Sequence, residues 1–165
     1  MFKNIDVQEA IKRSILVEKC ARDFFRLGAK HMKDERARKT FELLASEEEE
    51  RARWFYNLYQ GTDIPDFDDF MAVDSNTDLD WLSDSEKALM ENIDERHALD
   101  LAMQKCQTLE KSLRDMADKF DDPQVKEVFL TNATSTHQHY ELIESEYAHL
   151  MGMVHETDIN TYVRE

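Results

Sequence analysis

Helix-breaking residues are almost absent from this chain: 165 residues hold three Gly and two Pro. Average usage would supply about 7% Gly and about 5% Pro. Glycine opens the backbone conformations that tight turns need, and proline stops helices. A chain this poor in both has little material for hairpins or bulges. Ala, Leu, Glu, Lys, Arg, Gln and Met, which suit helices, dominate instead. The length suits one domain. An all-α domain over residues 1–151 is predicted, followed by a patternless tail at 152–165.

Local signals divide the chain into four long helices. Asp6-Val7-Gln8-Glu9 has the spacing of a capping box, and the helix it opens reaches about Lys33. Asp34 caps a second helix, which stops near Gln60, before Gly61. Ser83-Asp84-Ser85-Glu86 is a further box, opening a segment to about Phe120. Asp122-Pro123 starts the fourth helix, which ends near Met151-Gly152. Helices joined by a few residues form antiparallel hairpins. The link at about 61–83, rich in Asp and holding Pro65, is long enough to cross the length of a bundle. The prediction is a four-helix bundle of two helical hairpins joined by a long crossover.

Composition limits the partners. The chain carries 36 acidic and 21 basic residues, a net charge of −15. Such a surface repels phosphates, so nucleic acid is not expected as a partner. Hydrophobic content of 41%, with nine Phe and two Trp, supports a core and argues against disorder. No apolar run approaches the ~18 residues needed to cross a bilayer, and Met1 to Asp6 has no signal-peptide character. No membrane association is expected. Cys20 and Cys106 are too few for a disulfide framework, and a reducing cytoplasm is the expected location.

An internal repeat underlies the two hairpins. At an offset of 88, Ala10 meets Ala98, Arg26 meets Arg114, Ala29 meets Ala117, and Asp34 meets Asp122. Phe41 meets Phe129, Ala45 meets Ala133, and Tyr59 meets Tyr147. Element boundaries and core positions keep that offset without a gap. Two copies of one hairpin about a pseudo-two-fold axis are predicted; two similar hairpins in chance register are the alternative.

Each helix has an apolar seam at three- and four-residue steps. The seams run Val7, Ile11, Ser14, Glu18, Ala21, Phe25, Gly28, Met32, and Ala37, Phe41, Leu44, Glu48, Arg51, Phe55, Leu58. The second hairpin gives Leu99, Ala102, Cys106, Leu109, Leu113, Met116, Phe120, and Val125, Phe129, Asn132, Thr136, His139, Ile143. Every seam is interrupted near its middle, at Glu18, at Glu48 with Arg51, at Cys106, and at Thr136 with His139. The repeat pairs these positions: Glu18 with Cys106, Glu48 with Thr136, Arg51 with His139. A buried carboxylate costs several kcal/mol unless a proton, cation or metal neutralises it.

Residues at i and i+3 share a helix face. Di-iron bundles place one Glu on each of two helices and Glu-x-x-His on each of the other two. Glu18, Glu48 and His139 match that template; Arg51, Cys106 and Thr136 do not. At this point the chain resembles the rubrerythrin-like branch of the ferritin superfamily, over about residues 8–60 and 95–150. The resemblance rests on Glu18-Lys19-Cys20-Ala21-Arg22-Asp23-Phe24-Phe25, on Phe41-Glu42-Leu43-Leu44-Ala45-Ser46-Glu47-Glu48, and on His139-Tyr140-Glu141-Leu142. It implies a ferritin-like four-helix bundle with a carboxylate-bridged di-iron centre that reacts with dioxygen or peroxide. No Cys-x-x-Cys pair is present, so a rubredoxin-type iron domain is not expected.

The mismatches change the expected chemistry. Arg stays protonated and cannot ligate a metal. Arg51 is expected to balance Glu18 and Glu48 as a first iron would. A single iron or zinc ion could still use Glu18, Glu48, Cys106 and His139, given a Cys106 thiolate favoured by the metal or by Arg51. The alternative is no metal at all, with Cys106 a small core residue and His139 hydrogen-bonded to Thr136. Two functions stay open. One is redox or metal handling in iron or peroxide metabolism with at most one bound metal. The other is a non-catalytic structural or adaptor bundle, with an unidentified protein partner. A homodimer is expected from the resemblance.

Smaller features have plain readings. Cys20 points off the site face, and a disulfide with Cys106 is not expected. His31, His97, His137, His149 and His155 share no face. The run Glu47 to Glu50 reads as a solvated face with only Glu48 turned inward. The crossover aspartates match no EF-hand, and Phe67, Phe70, Met71 and Trp81 are expected to clamp the crossover to the bundle or a partner subunit.

Overall fold

The computed structural model describes residues 6–73 and 94–152. Among them the chain forms α1 (Val7–His31), α2 (Glu35–Leu58), the short α3 (Phe67–Ala72), α4 (Glu95–Ala117) and α5 (Pro123–Leu150), with no strand. α1 packs along α2, α4 packs along α5, and α2 also lies against α5.

Carboxylates start the four long helices. Asp6 accepts from the backbone N–H groups of Gln8 and Glu9, Asp34 from Ala37, and Asp122 from Gln124, with Pro123 in the first helical turn. Each cap satisfies an N–H that the helix leaves unpaired. The box at Ser83 lies outside the described residues. Helix α4 has its own start at Asp94, which is extended (φ −88°, ψ 170°) and accepts from the His97 N–H. The predicted unbroken segment to about Phe120 is therefore interrupted at Asp94. This start restores the repeat. Asp6 and Val7 correspond to Asp94 and Glu95, as Asp34 and Glu35 correspond to Asp122 and Pro123, all at the offset of 88.

Side chains divide the interior into three layers. One apolar cluster gathers Phe24, Phe25, Phe41, Leu44, Leu99 and Ile143. The other gathers Ile11, Ile15, Phe55, Leu113, Phe120 and Phe129. Glu18, Glu48, Arg51, Thr136 and His139 fall between the two clusters along α1, α2 and α5, with Cys106 at the edge of the first cluster on α4, so the bundle has a charged waist. Burying each large apolar side chain contributes about 1.5–3 kcal/mol, which makes the two clusters the main source of stability. Gly28 serves the first of them. A Cβ there would lie 2.6 Å from the Phe41 ring, so only glycine lets that ring seat fully against α1.

The segment that follows α2 is clamped to that helix. Phe67 and Met71 of α3 are buried with Ala52 of α2. Phe67 meets Tyr56 edge-on, and Arg53 lies 4.3 Å above the Phe67 ring centroid. The Lys19 ammonium lies 4.1 Å from the Phe70 centroid. Tyr56 donates its hydroxyl hydrogen to the Pro65 carbonyl. Phe67, Phe70 and Met71 thus hold the segment to its own bundle; Trp81 lies outside the described residues.

Candidate functional site

The waist brings the six sequence-predicted polar positions together. Glu18, Arg51, Thr136 and His139 are each 1% exposed, Glu48 is 2% exposed and Cys106 5%. Their helical spacing makes this unavoidable once the apolar seams face inward, because each lies on the same stripe as its flanking Phe, Leu or Ile.

Arg51 occupies the centre. Its Nη1 donates to Thr136 Oγ1 at 2.7 Å, and its Nη2 bonds the His139 ring at Nδ1. Nη2 lies 3.5 Å from Glu48 Oε1, and Nη1 lies 3.9 Å from Glu18 Oε2. Thr136 passes its own hydroxyl hydrogen to the Asn132 carbonyl at 2.8 Å. His139 Nε2 meets Glu47 Oε2. Nδ1 also lies 3.1 Å from Glu48 Oε1, and Nε2 lies 3.1 Å from Arg51 Nη2. Both ring nitrogens are thereby occupied.

The two buried carboxylates behave differently. Burial raises the Glu18 pKa well above its usual value, and the neighbouring Glu48 raises it further; Arg51 opposes both too weakly to win. At Glu48 burial also pushes upward, but Arg51, with the contacts from Glu18 and His139, outweighs it and holds that carboxyl below its usual range. Glu48 is thus the more acidic member of the pair. Arg51 stands where expected, but it prevails over burial at Glu48 and not at Glu18. Both Glu18 oxygens and Glu48 Oε2 are buried without a hydrogen-bond partner.

Cys106 departs from one expectation. Burial pushes its thiol up, the Glu48 charge adds to this, and Arg51 only partly opposes them. The arginine does not make Cys106 a thiolate. Cys20 and Cys106 form no disulfide.

Sequence reasoning missed several participants. Glu47, on the face expected to be solvated, is half-exposed and reaches inward to His139. Its neighbour Glu49 pairs with Arg22, which is 2% exposed. Glu146 is buried and accepts from Arg36 and Thr40, tying α5 to α2. Long side chains reach laterally from positions beside the seam, and a period count places only the Cβ. The scattered histidines His31, His97, His137 and His149 are exposed, as expected, and His155 lies outside the described residues. Of the crossover aspartates, Asp63 bonds Lys12 and Tyr59, and Asp68 pairs with Arg53. Asp74, Asp78 and Asp80 lie outside the described residues.

The residues do not fit a two-metal centre. The guanidinium sits among Glu18, Glu48 and His139, the positions a di-iron site would use, and bonds a ring nitrogen that a metal would need. Among the described residues, no group of three or more His, Cys, Asp or Glu is arranged to hold a metal ion. Among them too, no helix is long and apolar enough to cross a membrane.

No curated protein and no solved structure gives a significant match. The family model for rubrerythrin matches residues 9–147, from the first turn of α1 to the last turn of α5. That span contains both apolar clusters and the whole charged waist, so the chain belongs to the rubrerythrin family.

Proposed function

We propose that this protein is a ferritin-like bundle of two hairpins joined by a crossover, in which Arg51 supplies permanently the charge that a metal centre supplies in a di-iron bundle. Its role is then structural or adaptor-like rather than di-iron catalysis. The observation that carries this reading is the position of Arg51: one guanidinium touches or faces Glu18, Glu48, Thr136 and His139. A guanidinium has no lone pair for a metal, and a dication beside it would be repelled. The bundle would work as a cytoplasmic homodimer, without nucleic acid.

A second reading is favoured by a separate observation. Glu18 Oε1, Glu18 Oε2 and Glu48 Oε2 are buried and unpartnered, and a cation could satisfy them. One iron or zinc ion held by Glu18, Glu48, Cys106 and His139 would need Arg51 to swing away and Cys106 to lose its proton. Such a protein would belong to iron or peroxide metabolism.

Elemental analysis after incubation with Fe²⁺ or Zn²⁺, followed by oxygen uptake with added Fe²⁺, separates the readings. The first expects no stoichiometric metal and no ferrous oxidation above buffer. One ion per chain that disappears in Cys106→Ala supports the second. Two irons per chain would overturn both.

A further inference from the structure

The outer rim of the α2–α5 contact gathers exposed apolar side chains. Leu43, Trp54 and Leu142 are exposed there, although their chain neighbours Leu44, Phe55 and Ile143 are buried. These are three of the seven exposed large hydrophobics among the described residues. Thr40 donates to Glu146, and Glu47 meets His139, which sets the antiparallel register of the two helices. Leu43 lies between Thr40 and Glu47, and Leu142 lies between His139 and Glu146. The two leucines therefore stand at one level. Trp54 continues the same stripe of α2, eleven residues and about 16 Å beyond Leu43.

Between Leu43 and Trp54 the stripe is negative. Glu47 and Glu50 fill it at steps of four, three and four residues. Glu50 is exposed and pairs with no cation among the described residues. The matching stripe of α5 runs from Leu142 through Gln138 and Ser135 to Thr131, all neutral. The face is thus apolar at its ends and acidic in its middle. That pattern selects among occupants. A second copy related by a two-fold axis through the middle would set both copies' Glu47 and Glu50 together, and like charges repel in an interface. The two longer stretches outside the described residues are acidic as well. Residues 74–93 hold six acidic residues and one Lys, and 153–165 hold Glu156, Asp158 and Glu165 against Arg164. Charge complementarity therefore calls for cations from another protein.

We propose that the α2–α5 face binds a basic amphipathic helix of another protein. Its Lys or Arg side chains meet Glu47 and Glu50, between two apolar side chains eleven positions apart that cover Leu43 with Leu142 and Trp54. The apolar ends supply affinity, and the charges between them supply register. The inference rests on the adaptor reading and gives its partner a chemistry.

The probe is an alanine-based helical peptide of about 18 residues, with two Leu eleven positions apart and Lys four and seven positions after the first. It is titrated into the chelator-treated full chain carrying Trp81→Phe, which leaves Trp54 as the one tryptophan. A saturable change in Trp54 emission is expected, and a tenfold rise in salt should weaken binding at least about threefold. Glu50→Lys should weaken it at least about tenfold. Leu142→Ser should weaken it at least about fivefold. Both positions are exposed, so either variant suffices if the other does not fold. No saturable change, equal binding of a peptide of the same composition in scrambled order, or binding unmoved in Glu50→Lys would overturn the proposal. Light scattering that shows a dimer dispersed by Leu142→Ser would also overturn it, because a second copy would then cover the face. Metal content is measured on the same chain before chelation. A stoichiometric ion would count against the adaptor reading whatever the peptide does, and a metal-free chain that binds no peptide would overturn the docking proposal alone.

Discussion

Replacing Arg51 by methionine tests the charged waist most directly. Met fills much of the arginine's volume, so the cavity contribution is small. What is lost is the bond to Thr136 at 2.7 Å, the bond to His139, and the ion pairs at 3.5 and 3.9 Å. Thr136 keeps its bond to the Asn132 carbonyl, so its hydroxyl hydrogen is not orphaned. Glu48, 2% exposed, is left as a buried carboxylate without its cation. Removing one member of a buried pair costs about 3–5 kcal/mol. At about 2–4 °C per kcal/mol for a chain of this size, the melting temperature should fall by roughly 6–20 °C.

The pH dependence gives the same test a sign. In the parent, Arg51 leads the influences that hold the folded-state pKa of Glu48 below its ordinary 4.5. Glu48 therefore contributes stability that is present above the unfolded value and lost as pH falls through the folded one. Without Arg51, burial prevails and the folded pKa rises above 4.5. Glu48 then destabilises increasingly as pH climbs past its unfolded value. The deficit of Arg51→Met should be largest near pH 7.5 and shrink towards about pH 5, measured by urea unfolding with chelator present. Glu18 is raised in the parent against the pull of Arg51, so losing Arg51 raises it further and adds to the deficit with the same sign. Adding Glu48→Gln to Arg51→Met should recover most of the loss. The reasoning fails if the single variant lies within about 1 kcal/mol of the parent, if its deficit does not change with pH, or if the two substitutions simply add.

Three further outcomes are expected. Gly28→Ala should lower stability by about 1–2 kcal/mol despite alanine's better helix propensity, because the new methyl would meet the Phe41 ring at 2.6 Å; an unchanged or raised melting temperature would contradict this. A thiol reagent should modify half-buried Cys20 well before Cys106, whose proton is held by burial; equal rates, followed by mass spectrometry of the two peptides, would count against the electrostatics of the waist. Phe67→Ala should release α3 before the bundle melts, seen as faster hydrogen exchange over Phe67–Ala72 with α4 and α5 unchanged, since Phe67 joins α3 to Tyr56, Ala52 and Arg53; uniform protection would refute the clamp.

Much of the fold was legible because helices repeat at a regular step. The seam positions Ile11, Glu18, Ala21, Phe25 and Gly28 lie on the buried face of α1, and caps at Asp6, Asp34 and Asp122 all start helices. Asp94 was not read as a cap, because Ser83-Asp84-Ser85-Glu86 offered a stronger capping pattern and Asp94 lies within an apparently continuous helical run. The site was legible as a set of positions: Glu18, Glu48, Arg51, Cys106, Thr136 and His139 are all buried. Their protonation was not. The seam pattern carries no distances, and whether Arg51 outweighs burial at Glu48 but not at Glu18 depends on ångström differences in separation.

Sequence by itself determined the all-helical character of the described residues, the caps at Asp6, Asp34 and Asp122, and a polar interruption in every seam. These follow from local propensity and from the rule that apolar stripes face inward. Only the tertiary structure decided that Arg51 bonds Thr136 and His139, that Glu47 reaches in from outside the seam, and that burial and Glu48 raise the Glu18 pKa against Arg51. Those outcomes depend on how side chains from four helices meet, and on burial that exists only once the helices are assembled.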